Sequence, residues 1–226
     1  LSSGADVVLD WNALMIDAIR GDNTAPTLST RNLAIMHTAM YDSVNSVLRT
    51  HQPYLSELDA PEDTSIEAAA VGAAYEVMKI LYPPFSGSTE ELYTTWLEST
   101  PQTEATTHGL ALGKQIGQLA LQNRVADGST TNVPYIPSDA PGAWRRTPPN
   151  FRPPLTPQWR FVKPFCLPEL EPFLPPAPSR KRTEARLLFR NATLFQFPLA
   201  TKSDLDRAGL TPPLNYRATN LRLVAP

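Results

Sequence analysis

Apolar side chains recur at three- and four-residue steps in five stretches of the first 125 residues, the spacing that lines one face of an α-helix. The first stretch predicts a helix from about Ala5 to Arg20 with Val8, Trp11, Met15 and Ile19 turned inward, closed by the turn cluster Gly21-Asp22-Asn23. The second starts at Pro26 and Ser29-Thr30 and runs to about Arg49, with Leu33, Met36, Met40, Val44 and Val47 as its inner stripe. Thr64-Ser65-Ile66-Glu67 reads as a capping box for the third, with the Thr64 hydroxyl and the Glu67 carboxylate each taking up a free backbone donor. Pro83-Pro84 stops this alanine-rich helix, because neither residue can donate the next hydrogen bond. Ser88-Thr89-Glu90-Glu91 repeats the box for a short fourth helix to about Glu98, carrying Leu92, Trp96 and Leu97 and ending before Pro101.

The fifth helix, about Thr103 to Val125, holds Gly109, Gly113 and Gly117 at four-residue steps and is closed by Asp127-Gly128-Ser129. Each glycine costs up to about 1 kcal/mol of helix propensity against alanine. The stripe therefore reads as a groove for another helix, or for the segment that follows.

That segment cannot be regular. Fourteen prolines lie between Pro134 and Pro178, too many for a long helix or a central strand. Tyr135, Trp144, Phe151, Trp159, Phe161, Phe165 and Phe173 are interleaved with them, whereas disordered linkers are poor in aromatics. The reading is an extended belt whose rings dock on the helices, with Trp144 and Trp159 as anchors. The fold class is thus all-α: a bundle of about five helices (1–130), an extended proline- and aromatic-rich arm (131–178), and a poorly defined basic tail (179–226) in which Arg180 to Phe197 has the spacing of an amphipathic helix.

Composition narrows the function classes. With 42% hydrophobic and 19% charged residues the chain has the make-up of a globular protein, and no run approaches the ~20 apolar residues of a membrane span. Leu1 to Trp159 carries 9 Lys and Arg against 17 Asp and Glu, and Arg160 to Pro226 carries 11 against 5. The tail's positive charges are dispersed among Leu, Phe and Pro with no dense block, so the expectation is no nucleic-acid partner. The single cysteine, Cys166, cannot form an internal disulfide and is read as an inert, partly packed thiol. No signal segment precedes the first helix, which leaves either a cytoplasmic protein or an exported one with its signal removed.

Candidate chemistry concentrates on the second helix, where His37, Tyr41, Asp42 and Asn45 lie within nine residues and His37 and Tyr41 are i, i+4 neighbours. With no second His or carboxylate at ligand spacing, these read as a buried hydrogen-bonded cluster that fixes helix packing rather than a metal or acid-base site. His51 reads as a solvated loop residue and His108 as a surface residue. No catalytic, cofactor-binding or metal-ligating residue is assigned.

The words RNLAIMHTAMYDSVN (Arg31 to Asn45), VVLDWNALMIDAIR (Val7 to Arg20), AAAVGAAYEVMKILYPP (Ala68 to Pro84), NRVADGS (Asn123 to Ser129) and PGAWRRTPPNFRPPLTPQWRFVKPF (Pro141 to Phe165) resemble consecutive blocks of the bacterial vanadium-dependent haloperoxidases, whose fold is shared with the type 2 phosphatidic acid phosphatases. The resemblance implies a helical protein that oxidises halide with hydrogen peroxide at a bound vanadate, or a relative hydrolysing phosphate esters. It also implies a site built from a Lys with an Arg-Pro seven residues on, a Ser-Gly-His triplet, and a later Arg followed by a His. Those types suit an oxyanion, which needs cationic and neutral donors, a histidine ligand and a proton-transferring group.

This chain has no Ser-Gly-His, and its histidines are His37, His51 and His108 alone. Arg152-Pro153 matches two letters of the pattern, but Arg145 stands where the Lys would be, so Arg152 is assigned to the proline-rich belt. After Pro178 the family words stop, which reads as a replaced or frameshifted C-terminus. The expectations that follow are no bound vanadate, no turnover, and either a non-catalytic helical module or a portion that docks on a missing C-terminal half. Apolar surface around the glycine stripe, left bare, would also promote homo-oligomers.

Overall fold

The computed structural model describes residues 6–138, 140 and 143–167, and the predicted tail helix at 180–197 and Phe173 lie outside them. The protein is all-α, with five α-helices and no strand among the described residues. They are α1 (Val7–Gly21), α2 (Pro26–Leu48), α3 (Ile66–Leu81), α4 (Ser86–Ser99) and α5 (Glu104–Gln122), joined by a 3-10 turn at Pro83–Phe85 and followed by another at Pro157–Phe161. Residues up to 135 together with 154–165 form one compact unit, and residues 136–153 belong to a second.

The helix ends follow local chemistry. Asp6 caps α1 by accepting a hydrogen bond from the Val8 N–H at 2.9 Å. Pro26 opens α2 at a position where its missing N–H costs nothing, and Arg49 closes it in the left-handed region (φ 50°) with its N–H on the Asn45 carbonyl. The predicted capping boxes do not form. At α3 the cap is Ser65, whose hydroxyl accepts from the Ala68 N–H at 3.2 Å, while the Thr64 hydroxyl is buried without a partner and Glu67 instead accepts from the Trp96 indole at 2.9 Å. α4 begins two residues earlier than its polar run suggests, because the 3-10 turn at Pro83–Phe85 feeds straight into it. Thr89 is therefore inside the helix, fully buried, donating back to the Phe85 carbonyl at 2.9 Å, and Glu90 accepts from Tyr75.

α3 is the axis of the bundle: ten of its sixteen residues are buried, and α1, α2, α4 and α5 all pack on it. Its alanine-rich sequence is apolar around most of its circumference, with Glu67 and Lys79 left exposed, so it packs in the middle of the bundle. Its alanines let α5 approach closely, and the glycine stripe of α5 is the seam. A Cβ at Gly113 would land on the Ala69 carbonyl oxygen, one at Gly109 on the Ser65 carbonyl oxygen, and one at Gly117 3.0 Å from the Ala73 carbonyl oxygen. The groove is thus filled by a helix rather than by the arm. The bare surface invoked for oligomers is covered by α3, which removes the stated reason for expecting them. No helix among the described residues is long and apolar enough to cross a membrane.

The apolar stripe of α2 faces the core, but the buried surface is wider than the stripe. Met36 and Met40 are in the core with Ile35 and Ala39, but Leu33, Val44 and Val47 are only partly buried, and Asn32, Asp42, Ser43, Asn45 and Ser46 are buried as well. Small residues let α2 sit close to its neighbours, and Ser43 satisfies its own hydroxyl on the Ala39 carbonyl at 2.7 Å.

The rings of the belt differ in burial. Phe165 packs against the core and Trp159 is half-buried, but Phe161 is 62% exposed. Trp144 and Phe151, in the second unit, are 41% and 54% exposed, and Cys166 is exposed rather than partly packed. Replacing Trp159 by alanine is expected to cost less than about 2 kcal/mol, below the 3–5 kcal/mol typical of a fully buried tryptophan. A urea midpoint shifted by the full amount would show that Trp159 is a core residue.

Candidate functional site

The four polar residues of α2 do not form one cluster; successive positions on the helix aim them at different parts of the chain. His37 reaches back to α1, with Nε2 3.0 Å from Asn12 Oδ1, and its partial burial pushes the imidazole below its ordinary pKa, so it is neutral at pH 7. Tyr41 is exposed and donates its hydroxyl to the Gln52 carbonyl at 2.8 Å. Asp42 is 2% exposed and gathers the backbone N–H groups of Tyr54, Leu55 and Ser56 at 2.7, 2.9 and 3.0 Å. Asn45 clasps residue 51 from both sides, donating to its carbonyl at 2.7 Å and accepting from its N–H at 2.9 Å. Ser46 adds a further clasp by accepting from the Leu58 N–H at 3.2 Å.

These contacts hold the loop between α2 and α3 against the side of α2. A buried carboxylate that accepts three backbone donors has its hydrogen-bonding demand met within the protein. Asp42 is therefore a loop anchor, not a free base. His51 is exposed in that loop, its Nδ1 2.9 Å from the Thr50 hydroxyl. His108, on α5, is half-buried with Nδ1 3.5 Å from Asp63, which makes it less of a surface residue than the sequence suggested.

A second polar centre draws on residues to which the sequence analysis gave no role. Asp127, 3% exposed, accepts from Arg31 Nε through Oδ2 at 2.6 Å and from the Ser129 N–H through Oδ1 at 3.0 Å. Burial alone would raise its pKa, but the Arg31 guanidinium and the Ser129 donors outweigh that and hold it below the usual carboxylate range. Arg31 also donates to the Arg124 carbonyl at 2.8 Å.

Arg124 is 2% exposed and is satisfied by neutral oxygens: the carbonyls of Lys163 and Pro164 at 2.7 and 3.3 Å and the Tyr54 hydroxyl at 3.0 Å. Its guanidinium carbon lies 3.5 Å from the centre of the Phe165 ring, and its Nε has no hydrogen-bond partner. Tyr54 in turn donates to the Phe165 carbonyl at 2.8 Å, and the Lys163 N–H donates to the Asp127 carbonyl at 2.8 Å. Gln158 donates to the Ser129 carbonyl at 2.9 Å.

The network thus ties the start of α2, the turn after α5, the loop before α3 and the returning segment 154–165 to one another. Hydrogen bonds, together with the Phe165 ring against Arg124 and Tyr54, hold that segment. The only sequence signal for the network was that Arg31 opens one of the family-like words and Arg124 and Asp127 lie in another.

A vanadate site needs several cationic donors converging with a histidine. Here Arg31 is committed to Asp127 and a carbonyl, Arg124 to two carbonyls and a phenol, and the three histidines bond to Asn12, Thr50 and, at longer range, Asp63, none of them to either arginine. Neither these two arginines nor the three histidines converge on a common point as a vanadate site would require. Nor do the described residues contain three or more His, Cys, Asp or Glu grouped to hold a metal ion. No family model, curated protein or solved structure matches this chain.

Proposed function

We propose that residues 7–165 are the helical scaffold of a vanadium-dependent haloperoxidase-like protein and that this chain by itself has no haloperoxidase or phosphatase turnover. One observation carries the reading. Three separate family-like blocks, those beginning at Arg31 and Asn123 and the one ending at Phe165, meet in a single hydrogen-bonded network through Arg31, Arg124, Asp127, Lys163 and Phe165. Polar residues that could have served chemistry are consumed in holding segments together, which is what a scaffold asks of them.

The family chemistry depends on preorganised donors, and the loss of one such donor alone can cost about a hundredfold or more in rate. With the Ser-Gly-His element absent from the sequence, the purified chain is expected to brominate a phenol dye with vanadate, bromide and peroxide no faster than buffer, and to leave phosphate esters intact. Vanadate-dependent turnover that disappears on replacing His37, His51 or His108 would overturn the reading.

A further inference from the structure

Around Tyr75 of α3, three aromatic rings and three charged groups from four helices converge. The Trp11 indole of α1 meets the Tyr75 ring of α3 edge-on, with centroids 6.5 Å apart at 77°. Tyr75 stacks on Tyr93 of α4 with centroids 4.1 Å apart at 23°. All three rings are buried, at 1%, 8% and 8% exposure. The Tyr75 hydroxyl donates to Glu90 Oε2 at 2.8 Å, and Glu90 is an exposed residue. The ammonium groups of Lys79 and Lys114 stand 5.0 and 5.3 Å from the centre of the Tyr75 ring.

From this arrangement we infer that Tyr75 is a proton-coupled electron donor that reduces an oxidised Trp11 and passes its phenolic proton to Glu90. A one-electron radical oxidant removes an electron from Trp11; the Trp11 radical cation takes an electron from Tyr75 and returns to neutral indole; the Tyr75 O–H bond breaks, leaving a neutral phenoxyl radical, and the proton forms the O–H bond of the Glu90 carboxyl.

Three features favour that route. Rings in edge or stacked contact couple well enough for electron transfer without an intermediate carrier. Two ammonium ions near the Tyr75 ring oppose any positive charge on it, so the electron can leave only if the proton leaves too. The acceptor is within the distance at which a positioned base takes a proton, and its exposure lets water remove the proton afterwards. Burial, with the Glu90 hydrogen bond second, pushes the Tyr75 hydroxyl up to about 12, so before oxidation the phenol keeps its proton at neutral pH.

Pulse radiolysis with azide radical, which oxidises indoles by one electron, tests this in the full chain carrying Trp96→Phe, Trp144→Phe and Trp159→Phe, so that Trp11 is the remaining indole. Indolyl absorbance should decay as phenoxyl absorbance rises, in a phase independent of protein concentration and slower in heavy water. Trp11→Phe and Tyr75→Phe should abolish that phase and Glu90→Gln should slow it. Absence of the phase in that chain, its persistence in Tyr75→Phe, or an unchanged rate in both Glu90→Gln and heavy water would overturn the inference. Glu90 is on the surface, so Glu90→Gln and the heavy-water comparison decide the matter even where circular dichroism shows that Tyr75→Phe or Trp11→Phe fails to fold.

Discussion

Replacing Asp127 by alanine is expected to destabilise the protein by about 3–5 kcal/mol, the usual consequence of removing one member of a buried ion pair. The carboxylate side chain is 1% exposed and its Arg31 partner 11% exposed, so the guanidinium left behind would lose its counter-charge with little water to replace it. Arg124, buried in the same network, has no carboxylate partner among the described residues and relies on neutral oxygens. Equilibrium unfolding in urea measures the loss. The double variant Arg31→Met with Asp127→Leu should recover much of it, since apolar replacement of a whole buried pair is often neutral.

The pH dependence has a definite sign. Asp127 is held below its ordinary pKa, so the folded state binds fewer protons there than the unfolded state. Its contribution is fully present above the unfolded carboxylate value of about 4 and is lost as pH falls through the lower folded value. Asp127→Asn should therefore flatten the acid limb of the stability profile. Equal stability of the parent and Asp127→Ala at neutral pH would mean the network is ornamental.

The same chemical change is expected to act with opposite signs at two glycines. Gly113→Ala places a Cβ on the Ala69 carbonyl oxygen, which is backbone and cannot rotate away, so α3 and α5 must move apart along their whole seam. Overpacking of a tight core costs about 1–3 kcal/mol, and because α3 is the axis of the bundle the upper end or more is expected here, against a propensity gain of about 1 kcal/mol. Gly87, in the first turn of α4, has nothing within 4 Å of an added Cβ, and Gly87→Ala should stabilise by up to about 1 kcal/mol. Gly117→Ala, whose contact is looser, should fall between them. Thermal midpoints of the three variants give the order directly; a Gly113→Ala protein as stable as the parent would place the α3–α5 seam elsewhere.

The network and the seam also mark where sequence and structure divide. The five helices follow from the chain itself: their apolar steps are local, and Pro26, Pro83-Pro84 and Pro101 act on their own backbone neighbours whatever else the chain does. The glycine stripe of α5 announced a close approach for the same reason, since three glycines at helical spacing have no propensity advantage and need a packing one. The stripe could not say what fills it, and the alanines of α3 answer only once the two helices are side by side.

Polar residues divided differently. Whether Thr64 or Ser65 caps α3 depends on a one-residue choice of where the helix begins, and Glu67 left the box because a tryptophan 29 residues away offered a donor. The stripe Leu33, Met36, Met40, Val44 and Val47 has clean periodicity and packs on the core, yet Ser43 and Ser46 beside it are buried more deeply than Val44 and Val47, because close helix contacts favour small side chains. Asp42 was legible as a candidate but not as the anchor of a loop.

Arg31, Arg124 and Asp127 gave no sign of their role. Each has the residue type expected of a solvated surface, and what buries them is partners 96, 93 and 39 positions distant along the chain. Local periodicity determines which segments become helices, because hydrogen bonds within a helix reach only four residues. The fate of a charge is decided by the long-range neighbours that pair or desolvate it, and only the tertiary structure supplies those.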